Sequence, residues 1–198
     1  EQEFLSYASH ELRTPISVTR TNTELLEKMI LKGLSQEKQL EVVERIKRAG
    51  YTMTDLTETL LWLTRQEGKD LPENQVEIGL VTNQLVHDLE YLTKGKSVEV
   101  TLTTDTTVHS LPESLCRIVL SNLVRNALQH TSEGAVKITQ VGNQVTIVNQ
   151  NVNGSVEDNN LGFGLGLELT HRLVNQYGWY YRNQELENGR RVVVEFLG

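Results

Sequence analysis

The sequence predicts an α-helical hairpin that pairs with a second copy into a four-helix bundle, followed by an α+β two-layer sandwich. Three observations carry this prediction. Apolar residues recur at helical spacing through the first third of the chain, a polar stretch rich in breakers follows, and beyond it short runs of period two alternate with helical runs.

The first helix is expected from about Gln2 to Leu31, with Phe4, Leu5, Ala8, Leu12, Ile16, Leu25, Leu26, Met29 and Ile30 on its apolar side and Gly33 as its terminator. A second is expected from near Ser35, where Ser-Gln-Glu-Lys offers a cap and an acidic first turn. Its series Ile46, Ala49, Met53, Leu56, Leu60, Leu63 steps at close to the 3.5 residues of a coiled-coil seam. Two long helices make a thin core by themselves, so a homodimer is expected.

Gln66 to Asn74 contains Gly68, Lys69, Asp70 and Pro72 and reads as a linker. The expected division is residues 1–67 for the hairpin, 68–74 for the linker and 75–198 for the second domain. In that domain a strand is expected at Val76 to Ile78, a helix at Leu80 to Leu92 and a strand at Ser97 to Thr103. A helix opened by Pro112 should run to about His130. Val136 to Val141 and Val145 to Val148 form a hairpin around Gly142-Asn143, Leu165 to Tyr177 is helical, and Trp179 to Gln184 and Arg191 to Phe196 are closing strands. One sheet with helices on one face follows.

Composition narrows the function. Across 198 residues, 19 Lys and Arg against 26 Asp and Glu leave a net charge of −7, the wrong sign for gripping nucleic acid. Cys116 is the only cysteine, which excludes a disulfide framework and Cys-x-x-Cys metal sites and suits core packing. No run of about 18 apolar residues appears. The chain opens at Glu1 inside a helical pattern, and so is expected to be a piece of a longer protein.

Three stretches carry chemistry. In Ser9-His10-Glu11-Leu12-Arg13-Thr14-Pro15, His10 and Glu11 lie about 100° apart at the edge of the apolar stripe. Pro15 cannot donate to the Glu11 carbonyl, so a bend just after the histidine is expected to open access to it. Asn122 and Asn126, four residues apart, share a helix face, and an amide oxygen is a hard neutral ligand suited to Mg²⁺. Gly162-Phe-Gly-Leu-Gly-Leu167 runs into a helix whose first turn would receive phosphate oxygens. It matches neither the Gly-x-Gly-x-x-Gly of a dinucleotide site nor a Walker loop.

The segment around His10 resembles the H-box of bacterial two-component sensor histidine kinases, Asn122 to Thr131 their N-box, and Gly162 to Leu167 their second glycine box, in the family's order. The resemblance implies the ATP-binding sandwich shared with type II topoisomerases and Hsp90 chaperones. It implies His10 as the phosphoacceptor, Glu11 as its acid–base partner and Thr14 as the residue that orients water when a response regulator is dephosphorylated. ATP and Mg²⁺ are the implied cofactors. Asn126 would hold the ion, and Asn122, Asn126, His130, Thr131, Asn149, Gly162, Gly164, Leu165, Gly166 and Leu167 would line the nucleotide.

The implied partners are a second copy and a response-regulator receiver domain, with no nucleic acid. The implied location is the cytoplasmic portion of an inner-membrane sensor, touching the membrane only through a missing N-terminal region. Two positions depart from the pattern. The strand Val145 to Val148 is followed by Asn149-Gln150-Asn151 where the family has Asp-x-Gly-x-Gly, and the usually basic N-box position is Gln129. An Asn carbonyl still accepts from the adenine amino group, but without charge assistance. The rival to an active kinase is therefore a degenerate relative acting as a binding or phosphatase-only module.

Overall fold

The computed structural model describes residues 2–64, 71–152 and 163–197, with the side chains of residues 2–8, 10, 11 and 163–165 left undescribed. Helix α1 spans Gln2–Leu31 and continues through Pro15, whose carbonyl accepts from Thr19 Oγ1 at 2.9 Å. It stops where the sequence predicts. Gly33 takes a φ of 65°, its N–H bonds to the Ile30 carbonyl and that of Leu34 to the Met29 carbonyl, both at 3.0 Å. This paired closure needs a left-handed residue, the role glycine fills without steric cost.

Helix α2 spans Gln36–Thr64 and packs back along α1. Val42, Ala49 and Leu56, seven residues apart, are buried, while Ile46, Met53, Leu60 and Leu63 are half-buried between them. The hairpin does not cover all its apolar surface: Ile16, Leu25, Ile30, Leu31, Leu40 and Leu61 stay exposed.

The second part holds two sheets where the sequence predicts one. Strand β1 (Asn74–Glu77) pairs antiparallel with β3 (Val108–Leu111), a strand of four residues too short to declare a period. The larger sheet has the order β2-β4-β5-β7-β6, made of β2 (Ser97–Thr103), β4 (Glu133–Val141), β5 (Gln144–Asn151), β6 (Tyr180–Leu186) and β7 (Gly189–Glu195). β2 and β4 are parallel and the remaining neighbours antiparallel.

Three helices cover this sheet, α3 (Ile78–Leu89), α4 (Glu113–Gln129) and α5 (Phe163–Gln176). Several boundaries depart from the sequence reading. Ile78 opens α3 instead of closing a strand, because its carbonyl takes the Thr82 hydroxyl at 2.8 Å and its side chain is fully buried. That helix ends at Leu89 and tightens into a 3₁₀ turn over Glu90–Thr93. Asn149, Gln150 and Asn151 continue β5, since the flanking strands satisfy their backbone: Asn149 lies opposite Val136 of β4 and Arg190 of β7.

The core lies between these helices and the inner face of the sheet. From α4 come Leu115, Cys116, Val119, Leu120, Leu123, Val124, Ala127 and Leu128; from the sheet come Val136, Ile138, Val145, Ile147, Val192 and Val194. Burial pushes the Cys116 thiol up to about 12, so this sulfur packs as a small apolar group. Among the described residues no helix is long and apolar enough to cross a membrane.

One buried polar network closes the end of the sheet. Gln140, 1% exposed, accepts from the Asp105 N–H (2.8 Å) and donates through Nε2 to the Gly142 carbonyl (2.7 Å) and to Asp105 Oδ1 (3.0 Å). The Gly142 and Thr107 N–H groups also donate to the Asp105 carboxylate and hold it below the usual carboxylate range. Gln140→Leu keeps the volume but removes the hydrogen bonds to the Asp105 N–H and the Gly142 carbonyl, a net loss of about 0.5–1.5 kcal/mol per bond. Urea unfolding should show a midpoint lowered accordingly; an unchanged midpoint would remove the network from the fold's support.

Candidate functional site

Helix α4 carries the two asparagines beside its apolar stripe. With Leu123 and Ala127 turned into the core, Asn122 and Arg125 are half-buried outside that stripe and Asn126 is half-buried at its margin. Asn122 is not on the wet face that spacing alone allows. Its Nδ2 donates to Thr59 Oγ1 of α2 at 2.7 Å and to Thr170 Oγ1 of α5 at 3.3 Å. Thr170 in turn donates to the Gly166 carbonyl at 2.7 Å, so one side-chain relay ties α4 to the first turns of α5.

The C-terminal end of α4 is built from polar contacts. The His130 N–H closes the helix on the Asn126 carbonyl at 3.1 Å, and buried Thr131 donates to the Ala127 carbonyl at 2.8 Å. Lys96 Nζ donates to the carbonyls of Leu128 (2.8 Å) and Gln129 (3.0 Å), a cation at the negative end of the helix dipole. Burial and the nearby Arg48 bring this amine down to about 8. Asn151, at the end of β5, donates to the His130 carbonyl at 3.3 Å and accepts from the Ser132 N–H at 3.1 Å. Burial first, then the charges of Lys96 and Arg190, pulls the His130 imidazole down to about 4.

Asn149 is buried on the inner face of β5. Gly189 of β7 packs so closely that a Cβ there would fall on the Asn149 carbonyl, which explains a glycine at that place. Gln129 Nε2 is buried without a hydrogen-bond partner among the described residues. An orphaned donor beside Asn126 fits an oxygen-rich guest, as phosphate is. Among the described residues no three His, Cys, Asp or Glu cluster to hold a metal ion.

Gly164, Leu165 and Gly166 lie within the first turn of α5, which begins two residues earlier than the periodicity predicts. The two glycines hide that start because they are poor helix formers. Leu167 is buried in the core, and Gly162 falls outside the described residues. His10 and Glu11 lie on the backbone of α1, their side chains undescribed, and Thr14 is half-buried one turn further on. Leu12 packs on the cluster formed by Leu56 of α2 and Leu169 of α5.

A second contact joins α2 to α4. Asp55 Oδ2 pairs with Arg125 Nε, and the two side chains are only 16% and 14% exposed. The Arg125 guanidinium stands 5.5 Å from the centroid of Tyr51, whose ring meets Tyr91 at 5.4 Å. Burial pushes the Asp55 carboxyl up to about 6 against the pull of Arg125. Lys96, Arg125, Thr170 and Arg190 escape a sequence reading, because each acquires its position from elements distant in the chain.

Residues 1–69 match the His Kinase A (phospho-acceptor) domain. The chain is 30% identical over 183 residues to Sensor protein EvgS of Escherichia coli K12, covering 89% of this chain and 15% of that protein. It is 27% identical over 217 residues to Sensor protein CutS of Streptomyces coelicolor, covering 98% of this chain and 51% of that protein. The chain thus spans about half of CutS and less of EvgS. Its fold is shared by Acinetobacter baumannii histidine kinase AdeS (TM-score 0.62, 18% identity, 94% of this chain and 96% of that one). It is also shared by full-length ShkA in complex with AMPPNP (TM-score 0.57, 22% identity, 98% and 45%).

Because His130 is held neutral at about 4 when folded and titrates near 6.5 when unfolded, the unfolded chain binds more protons between those values. Its contribution to stability is present above pH 6.5 and lost as pH falls toward 4. Asp55, held high, acts in the opposite sense in parent and variant alike. His130→Phe should therefore flatten the acid limb of the stability profile, measured by urea unfolding from pH 7 to 4. Parallel profiles would contradict the assignment.

Proposed function

We propose that this chain is a sensor histidine kinase core, as its match to the His Kinase A (phospho-acceptor) domain over residues 1–69 and its similarity to CutS support, and that it takes the γ-phosphoryl group of ATP onto His10 and passes it to an aspartate of a response-regulator receiver domain. The observation that supports this most is the relay from Asn122 through Thr170 to Gly166, which ties the helix of Asn126 to the glycine-bearing turn of α5. Those are the two elements a phosphate tail needs, amide oxygens on one side and helix N–H groups on the other.

In this reading neutral His10 attacks the γ-phosphorus through Nε2, the bond to the β,γ-bridging oxygen breaks, and ADP leaves. Glu11 draws the Nδ1 proton, which keeps the attacking nitrogen nucleophilic. Phosphoryl transfer asks for position and charge neutralisation more than for covalent help. Asn126 is the residue that would hold Mg²⁺, and the ion when bound supplies that neutralisation. The N–H groups of the Gly164 to Gly166 turn receive phosphate oxygens, Gln129 Nε2 adds an uncharged donor, and Asn149 accepts from the adenine amino group. Thr14 orients water for the reverse, phosphatase reaction on the receiver domain.

A homodimer accounts for the exposed Ile16, Leu25, Ile30, Leu31, Leu40 and Leu61 of the hairpin, which a second hairpin would bury. This assembly belongs to the same proposal, as does a sensor region outside this chain.

Incubation with Mg²⁺ and γ-labelled ATP tests the reading through two variants. His10→Gln should abolish labelling and leave nucleotide binding nearly intact, whereas Asn126→Ala should remove Mg²⁺-dependent binding measured by calorimetry. Label persisting in His10→Gln, or unchanged Mg²⁺-ATP affinity in Asn126→Ala, would contradict the respective role. A parent that binds ATP yet never labels, while dephosphorylating a receiver domain, would favour the phosphatase-only relative.

A further inference from the structure

The side-chain relay between α4 and α5 has a third member, and it comes from the hairpin. Asn122 Nδ2 donates to Thr170 Oγ1 of α5 at 3.3 Å and, more closely, to Thr59 Oγ1 of α2 at 2.7 Å. Thr59 is 1% exposed and Thr170 fully buried, so neither hydroxyl exchanges its partner for water.

Each hydroxyl has a single hydrogen, and each gives it to its own helix: Thr59 to the Asp55 carbonyl at 2.8 Å, Thr170 to the Gly166 carbonyl at 2.7 Å. Both oxygens can therefore only accept, which obliges Asn122 to turn its NH2 end toward them. Oδ1 is the end of the amide that the threonines do not take. The orientation of this side chain is thus set by two helices other than its own.

Only Thr59 of these groups belongs to the hairpin. Asn122, Asn126 and Gly166 all stand on α4 and α5, so the amide is fully held only while α2 is seated on α4, where the pair of Asp55 and Arg125 also forms. With α2 withdrawn, Asn122 keeps the longer bond alone and its side chain regains rotamer freedom.

We propose that Thr59 is a positioning residue of the nucleotide site: it holds the Asn122 amide in the orientation to which Mg²⁺-ATP binds, so that nucleotide affinity depends on the seating of α2. This rests on the kinase reading, and the two failures are separable. A parent without affinity for Mg²⁺-ATP defeats both; a parent that binds while Thr59→Val binds equally well defeats only the proposal.

Calorimetry of the full chain with Mg²⁺-ATP, beside urea unfolding without nucleotide, tests it. Thr59→Val keeps the branched shape and removes the hydroxyl, and its Kd should rise about threefold to tenfold, as the loss of one hydrogen bond to a neutral amide does. Thr59→Ser keeps the hydroxyl and should bind within about twofold of the parent. A merely structural Thr59 would lower the urea midpoint of Thr59→Val and leave its Kd alone. An unchanged or tighter Kd in Thr59→Val overturns the proposal, and so does a Thr59→Ser chain as weak as Thr59→Val, since the methyl group and not the hydroxyl would then matter.

A second variant tests the dependence on seating. Asp55→Ala strands the Arg125 charge and so loosens α2 from α4 without removing any partner of Asn122. It should raise the Kd about as much as Thr59→Val does, and the two changes together should raise it no further, because both act through the same amide. An unchanged Kd in Asp55→Ala, or losses that add in full, would show that seating does not reach the nucleotide through Thr59 and would overturn the proposal.

Discussion

The double use of helix α4 is the constraint on which the rest of the structure depends. Its 17 residues bury Leu115, Cys116, Val119, Leu120, Leu123, Val124, Ala127 and Leu128 against the sheet. At 3.6 residues per turn Asn122 and Arg125 fall outside that apolar stripe and Asn126 falls at its margin. The core thus determines where the polar groups point. Rotating α4 to improve any one contact would pull several apolar side chains out of the interior, at roughly 1.5–3 kcal/mol each.

Everything reaching that face comes from another element. α2 brings Asp55 and Thr59, α5 brings Thr170, and the loop before β2 brings Lys96 to the last carbonyls of the helix. Hairpin and sandwich are therefore joined through polar side chains at the same surface that carries the proposed ion ligand.

Regular elements with a strong period were legible in the sequence. α1 ends at Leu31 because Gly33 supplies a left-handed residue, and β2 runs over Ser97–Thr103 because Val98, Val100 and Leu102 alternate without interruption. Where neighbours rather than local preference decide, the reading slipped. Asn149 to Asn151 are poor strand formers held in β5 by pairing on both sides, and β3 exists through its partner β1. Within the site, the spacing of Asn122 and Asn126 announced a shared face, but not that Thr59 and Thr170 would take the Asn122 amide. Asp55 and Arg125, far apart in sequence and unremarkable in composition, meet only once the hairpin is folded against the sandwich. Arg190 is likewise set beside Asn149 by strand register alone.

In the proposed reaction a nucleotide's phosphoryl group ends on an imidazole nitrogen of α1. Phosphorus NMR of the chain after incubation with Mg²⁺ and ATP, freed of nucleotide under alkaline conditions, reads that bond directly. The proposed reaction leaves a protein-bound phosphoramidate resonance that survives alkali, disappears on mild acidification and, by mass spectrometry of peptides prepared at alkaline pH, lies on His10. A protein-bound resonance that survives acid, as a phosphoserine or phosphothreonine ester would, or one mapped to any other residue, would contradict it.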